Sequence, residues 1–391
     1  MNETQQYFLE TISHALTGTP CEAANDEVDR SMLFSIAQEQ KLTAVIFSKA
    51  RDVFSREEQR LWRMASLQQV ALQAQRTETF LEVYKALADR GFSPLVVKGI
   101  LCRQTFPEPD ARISSDEDLY IPREQYPEFH RAMLELGFSA DEPDYRNAHE
   151  ERFFKGSLMI EGHWELFPQD HSTLNALNAL NDGFWERCTT QELKGIPLRV
   201  LEPTDHMTFL LLHAFKHFIN SGVGIRQLCD VAQWSKVHEI DWKRVQEAMR
   251  LARAECFAAA VFDAGEKYFG MKAPLGWPQA DCTALLEDAF GGGVYGTTSM
   301  SRKHSGSMTL AAVEDAEQAS RTKSLLRTLF PNRAVMETSF PWVKKSKALL
   351  PAAWMLRFWR YKKSRREGNS AAESLQIGTE RLELLREYNI I

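Results

Sequence analysis

Two aspartates one residue apart, Asp116 and Asp118, stand at the start of a short apolar run in the segment DEDLYI. Successive residues of a β-strand point to opposite faces, so these carboxylates would share one face, roughly 6–7 Å apart along the strand. Carboxylates so placed can bind Mg²⁺, and two such ions can activate an attacking hydroxyl and stabilise a leaving phosphate. A lysine or arginine would balance the same charge, and acid pairs of this spacing are common by chance, so the pair alone does not decide.

Three further residues favour metal and phosphate chemistry. Lys98 and Gly99 end the preceding strand candidate, SPLVVKGI, where the lysine supplies a positive charge and the glycine lets the backbone approach a phosphate closely. Glu161 lies in a later strand candidate, LMIEGHWEL, and pairing of the strands would bring it beside the two aspartates. The set lies in the one strand-rich part of the chain, which predicts a site there.

The elements that would position these residues predict an α+β fold. Residues 1–90 are expected to be helical, because apolar side chains recur every three or four residues towards Gly91. Residues 91–202 contain three β-branched runs and one amphipathic helix, which predicts a small mixed-sheet domain. Residues 203–391 return to the helical period, starting at a Pro-Thr-Asp sequence. The predicted order is therefore a helical region, a small sheet domain and a second helical region.

The composition is typical of soluble globular proteins. The chain has 391 residues, 44% of them hydrophobic and 26% charged, and a formal net charge of −6. No run reaches the roughly 18 apolar residues of a membrane span, and no signal-peptide pattern opens the chain. The six cysteines are scattered singly, which argues against a disulfide framework or a thiolate zinc site. We therefore expect a cytoplasmic protein with no membrane span.

The stretch from Lys98 to Asp118 resembles the bacterial nucleotidyltransferase family proteins of the nucleotidyltransferase superfamily. Their core reads Lys-Gly, a Tyr/Phe-Pro turn, an Arg, and a strand in which two aspartates alternate with apolar residues. The likeness extends over about residues 80–360, with His163 as a further candidate for lining the cleft. The matching positions are Lys98, Gly99, Phe106, Pro107, Arg112, Asp116, Asp118, Leu119, Glu161, His163, Trp164, His213, His217 and Asp230.

This resemblance implies a minimal nucleotidyltransferase sheet domain that moves a nucleoside monophosphate from a nucleoside triphosphate, such as ATP, to a hydroxyl acceptor, with release of pyrophosphate. It implies that Asp116, Asp118 and Glu161 are the catalytic residues and hold Mg²⁺ or Mn²⁺. The acceptor stays open between a small molecule, a protein side chain and an RNA end, and the base of the nucleotide stays open too. The residues expected to bind the nucleotide are Lys98, Gly99, Arg112, Ser114 and Ser115.

Two residues depart from the family pattern. The superfamily usually has Gly-Ser or Gly-Gly where this chain has Gly99-Ile100, so a hydroxyl is missing and Ser114 or Ser115 is the candidate to replace it. Glu117 stands between the aspartates, where an apolar residue usually packs into the core, and an inward-pointing carboxylate needs a cation or a raised pKa. Both departures suit an alternative: a catalytically degenerate relative that binds a nucleotide or a partner without turnover.

A second constellation lies in the segment HAFKH, which places His213 and His217 four residues apart on one helical face. Zinc proteases use this spacing, but their general base, a Glu after the first histidine, is replaced here by Ala214. Asp230 is a candidate third ligand or a partner for one imidazole. The alternatives are a His-based metal site, a helix face packed against the sheet domain, and a wall of the nucleotide cleft that includes Lys216.

Residues 341–366 combine basic and aromatic side chains. The segment carries nine Lys/Arg and no acid, and Trp354, Phe358 and Tyr361 fall on one face of a helix predicted to start at Pro351. Such a segment can bind nucleic acid, anionic lipid or the acidic remainder of its own chain. We favour the last, because the acidic remainder is available and the apolar face needs burial. Nucleic-acid contact is the less favoured alternative.

Overall fold

The computed structural model describes residues 1–141, 149–168, 172–180, 183–293 and 371–391, with scattered residues between 306 and 356. All nine basic residues of segment 341–366 lie outside the described residues, so the role predicted for that segment stays a prediction. The described part is a mixed sheet with helices before and after it in the chain, which confirms the predicted α+β class.

Helices precede the sheet, as the apolar period predicts. The first four are α1 (Glu3–Thr17), α2 (Arg30–Glu39), α3 (Thr43–Ala50) and α4 (Arg56–Ala88). Ser55 and Glu58 form a capping box that begins α4 by satisfying two backbone N–H groups. Gly91, with φ 86°, lets the chain turn from α4 towards the sheet. The long helix α4 thereby leads directly to the strand that ends at the predicted site.

Seven strands form one mixed sheet in the order β3-β4-β5-β2-β1-β7-β6. They are β1 (Leu95–Val97), β2 (Glu117–Tyr120), β3 (Ser139–Ala140), β4 (Glu150–Lys155), β5 (Leu158–His163), β6 (Thr189–Leu193) and β7 (Ile196–Val200). The central pairs are β1 with β2, antiparallel, and β2 with β5, parallel. Short helices α5 (Gly99–Arg103), α6 (Tyr126–Glu135) and α7 (Ser172–Ala179) lie in the connections.

The three strands expected from the sequence, β1, β2 and β5, are the apolar centre of this sheet. Four further strands were not predicted, because β3, β4, β6 and β7 are short or rich in polar residues. A local signal exists for β6 and β7: Lys194 and Gly195 both have positive φ, as the two central residues of a tight hairpin turn require. The two outer strands on each side of the sheet were therefore missed, whereas its three central strands were found.

Helices follow the sheet and share its core. They are α8 (Pro203–Asn220), α9 (Ile225–Val237), α10 (Trp242–Leu251), α11 (Glu255–Tyr268), α12 (Thr283–Gly292) and α13 (Ala371–Glu387). One apolar core contains side chains from all three predicted segments, from Tyr7 to Ile390, and the segment boundaries stay predictions. Within the described ranges, no helix is long and apolar enough to cross a bilayer. The cytoplasmic location also stays a prediction.

Candidate active site

A cavity of 420 Å³ is lined by the end of β1, the segment entering β2, strands β4 and β5, and helices α8 and α9. This volume lies within the usual range for a small-molecule site, about 300–1,000 Å³. All the predicted site residues lie on its wall except His163, which is buried and bonded to Asp118. The tertiary structure therefore gathers residues from positions 98 to 230 around one space.

Strand pairing brings the three predicted carboxylates together. Asp118 of β2 lies directly opposite Glu161 of β5 in the parallel pair, about 4.8 Å away in the backbone. Asp116 immediately precedes β2 and lines the same cavity, whereas Glu117 between the aspartates is not on the wall. Alternation along β2 thus separates the middle acid from its two neighbours.

Lys98 is held over Asp118 by an unusual backbone conformation. It follows β1 with φ 51° and ψ −130°, and its backbone N–H donates to Nε2 of His206 at 3.1 Å. Its ammonium lies 2.8 Å from Oδ1 of Asp118 and 3.0 Å from Nε2 of His213. A positive φ in a non-glycine residue costs roughly 1–3 kcal/mol, so surrounding contacts must maintain it. His206 is one such contact, buried in α8 with no exposed surface.

A network of imidazole and carboxylate groups surrounds Asp118. Nε2 of His163 lies 3.0 Å from Oδ1 of Asp118, and its Nδ1 lies 3.5 Å from Oε2 of Glu150. Nε of Arg152, directly opposite Glu161 in the antiparallel β4–β5 pair, donates to Oε1 of Glu161 at 3.1 Å. Lys98 and His163 therefore both contact Oδ1 of Asp118.

Glu117 receives the cation that an inward-pointing carboxylate requires. Nη1 of Arg103, a side chain with no exposed surface, donates to Oε1 of Glu117 at 2.5 Å. The backbone N–H of Ile100 donates to Oε2 at 2.7 Å. Burial raises the pKa of Glu117, and the adjacent Arg103 opposes that rise. Both departures from the family pattern, Ile100 and Glu117, therefore take part in one buried structural contact, which also packs against Gly99.

Arg112 and Asp230 form a second buried ion pair on the cavity wall. Two guanidinium nitrogens of Arg112 donate to the two carboxylate oxygens of Asp230, at 2.9 and 2.5 Å. Nη1 of Arg112 and Nη1 of Arg103 also donate to Oγ of Ser114, at 2.5 and 2.9 Å. Asp230 is therefore a partner for a guanidinium, and Ser114 accepts hydrogen bonds from both arginines. These contacts lie beside the carboxylate row, as we call Asp116, Asp118 and Glu161. Ser115 lines the cavity beside them.

Burial and repulsion from neighbouring carboxylates oppose the ionisation of Asp116 and Glu161. Burial raises the pKa of Asp116, and the nearby Asp118 raises it further. Burial and three neighbouring carboxylates raise the pKa of Glu161 to about 7. Burial would also raise the pKa of Asp118, but Lys98 and His163 outweigh it and the net shift is downward. Buried carboxylates that repel one another form an all-oxygen set, and a hard divalent cation such as Mg²⁺ or Mn²⁺ would relieve that repulsion.

The two histidines of α8 line the cavity together with Lys216. His213 accepts a hydrogen bond from Lys98, and the ring of His217 packs edge-on against it, with centroids 4.6 Å apart. Burial lowers the pKa of both imidazoles well below their usual range, so both are neutral. Where side chains are described, neither histidine belongs to a group that could share a metal ion. The groups that could do so are Asp118, Glu161 and His163, and His149, Glu150 and His163.

Several residues of the site carry no local sequence signal. Arg152 and Glu150 lie on β4, a strand that was not predicted, although the alternation in EERFFK is compatible with one. His206 sits in an apolar helix where only the folded chain shows its contact with Lys98. Arg226 of α9 donates to the backbone carbonyl of Ile113, just before the carboxylate row. Their importance depends on pairing and packing.

The geometry agrees with a likeness found over most of the described chain. A family model described as "uncharacterised nucleotidyltransferase" matches residues 26–270, which is more than half of the sequence and includes every strand and the whole cavity wall. No curated protein and no solved structure matches the chain.

Proposed function

The chain belongs to the uncharacterised nucleotidyltransferase family, and from this premise we propose that it transfers a nucleoside monophosphate from a nucleoside triphosphate to a hydroxyl group, releasing pyrophosphate. The observation that carries the proposal is the convergence of Asp116, Asp118 and Glu161 with Lys98 on one wall of the cavity. Family membership supports nucleotidyl transfer in general, and the roles of these residues are our proposal.

Asp116, Asp118 and Glu161 would hold Mg²⁺ or Mn²⁺, which when bound would neutralise phosphate charge and lower the pKa of the attacking hydroxyl. Their mutual repulsion, which a cation would relieve, and their shared wall support this assignment. Burial would lower the pKa of the Lys98 ammonium, but the surrounding carboxylates outweigh it and the net shift is upward. Lys98 therefore stays positively charged and is placed to meet the triphosphate. The part of the wall that we propose to contact the phosphates also includes Gly99, Arg112, Ser114 and Ser115.

In the proposed reaction the acceptor oxygen attacks the α-phosphorus as the bond to the pyrophosphate oxygen breaks in line. The proton of the acceptor hydroxyl passes to Glu161, the third carboxylate of the row, and pyrophosphate leaves with the bonding electrons. The protein contributes mainly by positioning the two reactants and by supplying fixed charge, as in other phosphoryl-transfer sites. Lys216 lines the wall on α8 and provides a second ammonium for the polyphosphate.

Thermal unfolding with each nucleoside triphosphate, with and without Mg²⁺, tests the proposal first. A nucleotide at about 100 times its dissociation constant should stabilise the wild type by roughly 2.7 kcal/mol. The stabilisation should require Mg²⁺ and disappear in the double variant Asp116→Asn/Asp118→Asn. Pyrophosphate release with the stabilising nucleotide then identifies acceptors from small hydroxyl compounds, peptides and RNA.

Asp110→Asn is the matched control, because Asp110 lies in the same segment but does not line the cavity. It should retain the full Mg²⁺-dependent shift. A wild type that is folded and shows no shift with any nucleotide would contradict the proposal, as would a shift that the double variant keeps.

A second candidate is a degenerate relative that binds a nucleotide or a partner without turnover. The observation in its favour is the ion pair of Lys98 with Asp118, since a protein cation there already balances a carboxylate expected to meet a metal. This alternative predicts that nucleotide stabilises the protein equally with and without Mg²⁺, and that no acceptor yields pyrophosphate. The same experiment therefore separates the two functions.

A further inference from the structure

A second set of ligand atoms lies beside the carboxylate row but is chemically different from it. Oε2 of Glu150 lies 3.1 Å from Nε2 of His149 and 3.5 Å from Nδ1 of His163. The three atoms all lie within 4.8 Å of one another. The other oxygen of Glu150, Oε1, accepts from Arg152 at 3.3 Å. One carboxylate oxygen and two imidazole nitrogens thus converge on one point.

The two imidazole nitrogens have no hydrogen-bond partner among the residues that the structure describes. Nε2 of His149 and Nδ1 of His163 are buried, and neither makes a hydrogen bond, since their close contacts with Glu150 are not aligned as such bonds. Buried polar atoms are nearly always satisfied. The His163 side chain is only 6% exposed, so bulk water does not readily reach its nitrogen. Two buried nitrogens that face one carboxylate oxygen and have no hydrogen-bond partner are therefore available as ligands for a metal ion.

The spacing also agrees with a metal centre. Zinc binds imidazole nitrogen and carboxylate oxygen at about 2.0–2.2 Å, so two ligands of a tetrahedral ion lie roughly 3.3 Å apart. The observed separations from Glu150 Oε2, 3.1 and 3.5 Å, fall on either side of this value. Two histidines and one carboxylate, with the remaining positions open, form a donor set that suits zinc and similar transition ions better than Mg²⁺.

The position of His163 connects this set to Asp118. Its Nε2 lies 3.0 Å from Oδ1 of Asp118 and its Nδ1 faces Glu150, so the tautomer protonated at Nε2 would offer the Nδ1 lone pair to a metal ion. A metal-bound histidine characteristically donates its other N–H to a carboxylate, which fixes the ring. We infer that His149, Glu150 and His163 form a transition-metal site, of the zinc class, that orients His163 against the catalytic carboxylate Asp118. The site is separate from the proposed Mg²⁺ ligands and requires no nucleotide.

Metal titration of the full chain tests this site without any assay of activity. The protein is first stripped of metal with a chelator and then titrated with Zn²⁺, or with Co²⁺, whose visible absorption reports binding. Excess Mg²⁺ is present throughout to occupy the proposed ligands Asp116, Asp118 and Glu161. One equivalent of each ion should bind per chain, and Zn²⁺ should raise the melting temperature. His149→Gln, His149→Ala and Glu150→Gln should each weaken binding by more than the ~10–100-fold that loss of an outer partner costs.

Two controls separate this site from its surroundings. His130 bonds Glu151 on the same strand as Glu150, outside the proposed site, so His130→Ala should retain the full equivalent. Asp116→Asn removes a proposed Mg²⁺ ligand and should leave Co²⁺ binding and its spectrum unchanged. Circular dichroism verifies that each variant is folded. Failure of the wild type to bind one equivalent, unchanged binding in both His149 variants, or loss of Co²⁺ in Asp116→Asn would overturn the inference.

Discussion

Lowering the pH from 7 to 5 should destabilise the protein by about 2 kcal/mol through His206 alone. Burial, followed by the charges of His238 and Lys98, lowers the pKa of His206 from 6.5 to about 3. Between these two values the unfolded chain binds a proton that the native chain does not, so the free energy of unfolding falls as the pH falls. Complete titration would remove about 5 kcal/mol, and about 2 kcal/mol of it falls between pH 7 and 5.

The contacts of His206 explain why the native state keeps it neutral. Its Nε2 accepts the backbone N–H of Lys98, and its ring lies edge-on to Trp234 with centroids 4.0 Å apart. A proton on Nε2 would replace an acceptor with a donor opposite that N–H group. Protonation would therefore both charge an enclosed ring and release the backbone that holds Lys98 over Asp118.

Urea unfolding at pH 7 and pH 5 measures this term as a difference between variants. His206→Gln keeps a carbonyl acceptor for Lys98 but does not titrate, so it should lose about 2 kcal/mol less than the wild type on acidification. Equal losses in His206→Gln and the wild type would refute the reasoning, because other titrating groups would then account for the whole acid sensitivity.

Three other predictions concern the site and its support. Gly99→Ala should lower the free energy of unfolding by about 1–3 kcal/mol, because the added Cβ would lie 2.1 Å from Oε2 of Glu117. Gly91 also has a positive φ but has open space around it, so Gly91→Ala should lower the free energy of unfolding by less in the same urea titration. Arg103→Met should lower the free energy of unfolding by about 3–5 kcal/mol, because it leaves Glu117 buried without its cation. The double variant Arg103→Met/Glu117→Gln should recover part of that loss. A double variant less stable than Arg103→Met would contradict the pairing. Lys216→Ala should weaken Mg²⁺-nucleotide binding by roughly 10–100-fold, the equivalent of one charge-assisted hydrogen bond of about 1.5–3 kcal/mol. Calorimetric titration measures the dissociation constant, and an unchanged value would show that Lys216 does not contact the phosphates.

Local patterns in the sequence predict the centre of the fold well. The strands β1, β2 and β5 and the helices around them follow from apolar runs and period, and the mixed α+β class is confirmed. The four outer strands, β3, β4, β6 and β7, escape prediction because their residues are partly solvated, so no continuous apolar run marks them. β4 matters most among these, since it carries Glu150 and Arg152 to the site.

The sequence alone determined which residue types were available: an Asp-x-Asp strand, a Lys-Gly step and a later glutamate. Spacing along one strand also placed Asp116 and Asp118 on the same face. Tertiary structure alone decided their partners. Strand pairing placed Glu161 opposite Asp118, helix packing brought His206 and His213 to Lys98, and Arg103 met the inward Glu117. Spacing within a strand is fixed by local backbone geometry, whereas these contacts join residues 14 to 115 positions apart and exist only after the chain has packed.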